Sequence, residues 1–198
     1  MTRAEDAAEA SRLGVDAIGL VFWKQSKRAL TDLAQAADIA AACHPLVSVV
    51  GLFVDASEDW VHQVLDRVPV SLLQFHGNES PEFCRSFDRP FIKALRMKED
   101  ADAERELLRF HGARGMLLDT FVEGAPGGTG ESFDWQRFPS AQATRLILAG
   151  GLNASNVAGA IATSGAHAVD VSGGIESAPG IKDAQRMRDF MAAVRSMG

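Results

Sequence analysis

Cysteine is scarce in this chain: Cys43 and Cys84 are the only two in 198 residues, and they share no metal-ligand spacing. Neither a disulfide framework nor a zinc site is expected of them, and no metal or cofactor is implied. Long apolar runs are missing too. The longest near-apolar stretch, 46–54, is far short of a membrane span, and the N-terminus is charged and alanine-rich where a leader peptide would be apolar. No membrane partner is expected, and the cytoplasm is the expected location. Positive charge is in deficit, with 20 Lys and Arg against 26 Asp and Glu and a net charge of -6. That balance gives no footprint for nucleic acid and favours a small-molecule partner. No G-x-G-x-x-G follows a strand-like run and no G-K-[ST] occurs, which removes the dinucleotide and P-loop readings. Linkers and low-complexity tracts are lacking as well, so 198 residues with 46% hydrophobic content are expected to form a single domain over 1–198.

What is present is alternation. Short β-branched or apolar runs at 15–22, 46–54, 71–75, 90–96, 114–119, 145–149 and 167–172 are separated by longer amphipathic segments, the pattern of a parallel sheet built from βα units. Helices are expected at 2–13, 99–111 and 183–197, with a short one near 134–138, and capping residues at Thr31, Ser57 and Asn153. Polar and glycine residues follow the strands along the whole chain: 24–28, Asp55, His76 with Gly77, Asp119, Gly150 with Gly151, and 172–174. An open doubly wound sheet concentrates its ligand contacts at one switch point, whereas a barrel gathers every strand end at one mouth. The expectation is therefore an α/β fold, a (βα)8 TIM barrel. Seven strands are visible and none precedes the first helix, so the first strand of that barrel is expected to be absent, as in an N-terminally truncated domain.

At the strand ends the motifs become specific. DAIGLVF at 16–22, LQFHG at 73–77, IKA at 92–94, LLD at 117–119, PGGTG at 126–130 with FDW at 133–135, LAGGL at 148–152 and VDVS at 169–172 resemble phosphoribosylanthranilate isomerase in order and spacing. The resemblance runs over essentially the whole chain. It implies a step of tryptophan biosynthesis, the Amadori rearrangement of N-(5-phosphoribosyl)anthranilate to 1-(2-carboxyphenylamino)-1-deoxyribulose 5-phosphate, with no cofactor, in a monomer or homodimer. It also implies a catalytic cysteine on a Lys-Ile-Cys-Gly strand preceding the first helix, a strand this sequence does not contain.

Asp119 ends an apolar strand and is followed at once by a glycine-rich stretch; from spacing alone it is either a general acid or a turn cap, and the resemblance makes it the acid. Asp170, two positions before Ser172 on the last strand, is either a substrate-orienting carboxylate or a hydrogen-bonded structural one. Gly150 and Gly151 with Ser172, Gly173 and Gly174 end two adjacent strands, where barrels hold phosphate with backbone N–H groups. The resemblance places Arg28 on the anthranilate carboxylate, although a basic loop alone reads as a solvated surface. Gln74 and His76 are expected to line the mouth with substrate, Lys93 is a weaker candidate, and 126–130 is either a lid or a turn. Two other readings remain at this stage: a catalytically silent barrel that binds a sugar phosphate or a protein, and another phosphate-binding barrel enzyme. The latter would carry lysines or metal-ligand clusters at other strand ends.

Overall fold

The computed structural model of the chain describes residues 1–97, 102–119, 135, 138–139 and 146–197. The PGGTG stretch and most of the short helix expected near 134–138 lie outside the described residues. Seven parallel strands form one sheet in strictly sequential order, as the alternation predicts: β1 (Ala17–Val21), β2 (Ser48–Phe53), β3 (Leu72–Phe75), β4 (Phe91–Arg96), β5 (Gly115–Asp119), β6 (Leu146–Ala149) and β7 (Ala168–Val169). α1 (Ala4–Arg12) precedes the first strand, α2 (Leu33–Ala41), α3 (Glu58–Arg67), α4 (Pro81–Arg85), α5 (Ala103–Arg109) and α6 (Val157–Ser164) lie between strands, and α7 (Ala184–Arg195) closes the chain. A parallel pair needs a crossover, and the helices in the crossovers let the sheet bury both faces.

Helix starts obey local chemistry, with two shifts from expectation. Asp32, not Thr31, caps α2, its carboxylate accepting from the N–H groups of Ala34 and Gln35. Ser57 caps α3 as expected, while α6 begins at Val157 because Asn153 spends its side chain on Ser155 in the preceding turn. Among the described residues no helix is long and apolar enough to cross a membrane.

Strand register sorts every side chain onto one of two faces, because partners across a parallel ladder share a face and neighbours along a strand alternate. Ile18, Leu20, Val49, Phe53, Leu73, Phe75, Phe91, Met116, Leu118, Leu146 and Leu148 fall on the outer face and belong to one hydrophobic cluster with the helices. Phe22, Phe53 and Phe75 run along this layer with centroid separations of 5.4 and 6.1 Å, in the range of favourable ring contacts. Val50, Ile92, Leu117 and Ala149 fill the inner face and are buried there.

The open side of the sheet lies between its first and last strands. Interior strands such as β5 are buried on both faces, whereas Ala17 and Gly19 of β1 and Ala168 of β7 are exposed on the inner face. Asp16 O accepts from Ser48, so the carbonyls of Gly19 and Val21 point away from β2. Those two are met by the Met1 amino group and by the N–H of Leu30, which leaves the edge only partly unsatisfied. Across the same side lies a hairpin that the sequence reading did not foresee, β8 (Glu176–Ala178) and β9 (Ile181–Lys182), turning at Gly180 with φ +86°. It is fastened to α1: Lys182 N donates to Asp6 Oδ2 at 3.0 Å, Arg3 Nη2 reaches Lys182 O at 3.2 Å, and Thr2 Oγ1 donates to Gly180 O.

Candidate active site

On the inner face, the register carries a set of polar side chains to the C-terminal end of the sheet. Gln74 lies between Leu52 and Ile92, and Asp119 between Arg96 and Ala149. His76 continues the alternation of Gln74, and Asp170 and Ser172 continue that of Ala168. Five of the residues singled out in the sequence thus share one concave surface. Arg96 joins them and was missed, because its strand-end position looks the same in sequence as that of any exposed arginine.

Gln74 is buried among apolar neighbours, and its amide finds a partner in His76 Nε2. Burial, with Lys93 and Arg96 adding their charge, pushes His76 down to about 4, so the ring is neutral at physiological pH. The unfolded chain takes up that proton below about 6.5 and the folded one only near 4. Stability from this group is therefore full above about pH 6.5 and lost as pH falls, by about 1.4 kcal/mol per pH unit. His76→Gln is expected to flatten that part of the stability profile, measured by urea unfolding between pH 7 and pH 4. An unchanged slope would mean that His76 is freely protonated in the fold.

Lys93 belongs to the other face. Register pairs it with Phe75 and Met116, and its ammonium is fully engaged by Phe75 O at 3.2 Å, Gly77 O at 2.6 Å and Glu79 Oε2 at 3.0 Å. Three donors and three acceptors leave no proton for a ligand, so Lys93 fastens the turn after β3. A cavity of about 650 Å³ opens between this lysine and α5, lined by Arg96, Arg105, Arg109 and Phe110. It touches His76 but none of Asp119, Asp170 and Arg28.

The two glycine turns after β6 and β7 are in direct backbone contact. A Cβ on Gly174 would come within 1.9 Å of Leu152 O, so only glycine lets the turns meet. Gly151 adopts φ +64° with open space before its Cβ position, and Gly150 adopts φ +94°. Residues Gly173–Ile175 form a short 3-10 turn. Adjacent turns of this kind direct backbone N–H groups into one concavity, a geometry suited to an anion.

Asp170 stands at this mouth, exposed to solvent but with chain packed around it. Enclosure pushes its carboxyl above the ordinary range; Lys182 opposes that rise and the charge of Asp119 adds to it. The charge of Asp119 thus bears on Asp170 across the mouth.

Arg28 is not a solvated surface residue. Its Nε and Nη2 donate to Glu176 Oε1 and Oε2 at 2.7 and 2.5 Å, and Lys182 Nζ donates to Glu176 Oε1 at 2.9 Å and to Ser172 O at 3.1 Å. Glu176 and Lys182 have side chains only 5% exposed. Burial alone would raise the Glu176 carboxyl, but the hydrogen bonds from Arg28 and Lys182 outweigh it and bring the group down to about 2. Arg28 and Ser172 are in this way linked through Glu176 and Lys182, two residues the sequence reading did not single out. Neither Cys43 nor Cys84 approaches the mouth: Cys84 is buried in α4 and Cys43 follows α2. Among the described residues no cluster of side chains could hold a metal ion.

Comparison with known proteins gives one family for the chain. A family model described as N-(5'phosphoribosyl)anthranilate (PRA) isomerase matches residues 1–193. An N-(5'-phosphoribosyl)anthranilate isomerase of Pseudomonas putida is 52% identical over 195 residues, covering 98% of this chain and 94% of that protein. The crystal structure of phosphoribosyl anthranilate isomerase from Thermotoga maritima superposes with a TM-score of 0.88 at 35% identity, over 99% of this chain and 96% of that one. A further phosphoribosyl anthranilate isomerase structure, in complex with reduced 1-(o-carboxyphenylamino)-1-deoxyribulose 5-phosphate, matches with a TM-score of 0.85 at 33% identity, over 99% and 95% of the two chains.

Proposed function

The chain belongs to the N-(5'-phosphoribosyl)anthranilate isomerase family, and on that premise we propose how its mouth divides the work. It catalyses the Amadori rearrangement of N-(5-phosphoribosyl)anthranilate to 1-(2-carboxyphenylamino)-1-deoxyribulose 5-phosphate in tryptophan biosynthesis. The observation that carries the division of labour is the register: Asp119, Asp170 and Ser172 share the inner face at the end of the sheet where both glycine turns lie.

Asp119 is the general acid. It protonates the furanose ring oxygen, the C1–O bond breaks, and the anilino nitrogen's lone pair forms an iminium at C1. A base then removes the C2 proton, and the resulting enolamine tautomerises to the ketone by protonation at C1. Asp170 orients the sugar hydroxyls. Backbone N–H groups of Gly150, Gly151, Ser172, Gly173 and Gly174 bind the phosphate, Arg28 binds the carboxylate, and Gln74 with His76 forms the floor of the pocket. Neutral His76 fits that part, since a hydrogen-bonded imidazole adds no charge beneath the substrate.

The base belongs to an eighth parallel strand. The inner face is open between β7 and β1, each of which has a single ladder partner among the described residues. A strand placed there completes a (βα)8 barrel of one domain, and in the family resemblance it carries the catalytic cysteine. A monomeric or dimeric cytoplasmic enzyme fits this reading, as does a phosphorylated small molecule as its sole substrate. Conversion of N-(5-phosphoribosyl)anthranilate, followed by NMR through the appearance of the product's ketone carbon, tests it. Product is expected from the chain extended upstream by that strand and little from the 198-residue chain alone, and in the extended chain Arg28→Ala is expected to raise KM more than it lowers kcat. An Arg28→Ala protein with unchanged KM would remove the carboxylate assignment.

A further inference from the structure

A guanidinium has two edges that can each grip a carboxylate, the Nε/Nη2 side and the Nη1/Nη2 end. In this chain the first edge is already taken. Arg28 comes from the loop after β1 and Glu176 from the hairpin after β7, 148 positions away, so their bidentate pair spans the open side of the sheet. Lys182 anchors the same carboxylate and also holds Ser172 O, at the start of the glycine turn. A Cβ built on Gly173 would lie 3.7 Å from Arg28 Nη2, so the guanidinium rests against that turn.

We propose that Glu176 is a positioning residue for the substrate carboxylate: it occupies the side edge of Arg28, turns the Nη1/Nη2 end toward the mouth, and through Lys182 fixes that end relative to the phosphate turn. Glu176 itself does not touch substrate. It sets the distance between the two anionic ends of the ligand, which makes it a residue of specificity for a molecule with a carboxylate at one end and a phosphate at the other. Lys182 shares the single negative charge of Glu176, so the set of Arg28, Lys182 and Glu176 keeps a net charge of one positive that a second anion can use. This inference rests on the assignment of Arg28 to the substrate carboxylate.

The test is equilibrium binding of two ligands to the purified protein: reduced 1-(o-carboxyphenylamino)-1-deoxyribulose 5-phosphate and the same molecule with hydrogen in place of its carboxyl group. Glu176→Gln is expected to weaken the first by about tenfold and the second by less than about twofold, the loss of one well-made charge-assisted interaction. The double variant Arg28→Ala with Glu176→Gln is expected to bind no more weakly than Arg28→Ala alone, because both act through one guanidinium. Equal weakening of the two ligands by Glu176→Gln, or a double variant that adds the full loss of each single one, would overturn the proposal. Should Glu176→Gln not fold, Glu176→Asp keeps the charge but withdraws it by one methylene. It is expected to weaken only the carboxylate ligand, and an unchanged preference between the two ligands would count against Glu176. If the unaltered protein does not discriminate between the ligands, it is the role of Arg28 that fails, and this inference falls with it.

Discussion

Asp119→Asn, in the chain extended upstream by a Lys-Ile-Cys-Gly strand, is expected to lower kcat by about 10² to 10⁴, the span that a positioned proton donor contributes. KM should move far less. Asparagine keeps the size and hydrogen-bonding reach of the carboxyl but cannot deliver a proton to the ring oxygen, so the loss falls on ring opening and not on binding. Steady-state kinetics at saturating substrate check this. A variant with near-normal kcat would transfer the acid role elsewhere on the inner face, and Asp170 would be the first place to look, since enclosure already holds its carboxyl toward the protonated form.

The second large effect concerns the open side. Extending the 198-residue chain upstream with a Lys-Ile-Cys-Gly strand is expected to raise both turnover and stability. Such a strand brings the base. It also covers Ala17, Gly19 and Ala168, inner-face positions that are now exposed. If about four of its apolar side chains become buried at roughly 1.5 to 3 kcal/mol each, the gain is on the order of 6 to 12 kcal/mol, comparable with a whole domain's stability. For a chain of this size a gain of that order moves the thermal midpoint by more than about 10 °C. The contacts that Met1 and Leu30 make on the β1 edge reduce the difference. Thermal melts and turnover of both forms check this. Equal midpoints with equal activity would mean that the sheet needs no further strand and that another group on the mouth removes the C2 proton.

Much of this architecture was legible because alternation and strand-end polarity are local signals. All seven strands and their parallel order follow from runs of apolar residues separated by helical segments, and the convergence of His76, Asp119, Asp170 and Ser172 follows from their places at strand ends. What escaped the sequence depends on parity or on distance. Lys93 reads as a mouth residue because a charge inside IKA looks functional. One step of alternation nevertheless places it on the outer face, where Glu79 and two carbonyls engage it completely. Glu176 and Lys182 carried no local signal at all, since their meaning lies in partners on the far side of the chain. The hairpin they belong to was hidden by its brevity: three and two residues about a glycine turn give no periodicity to detect. Helix α6 starts later than expected because an asparagine can cap a turn as readily as a helix.

A crystal structure of the protein with reduced 1-(o-carboxyphenylamino)-1-deoxyribulose 5-phosphate tests the assignment of the mouth most directly. The phosphate is expected on the backbone N–H groups of Gly151 and 172–174, the carboxylate on the Nη1/Nη2 end of Arg28, and the ribulose chain between Asp119 and Asp170. A ligand seated in the cavity beside α5, or one bound in the mouth with its carboxylate away from Arg28 and its phosphate away from both glycine turns, would contradict the account.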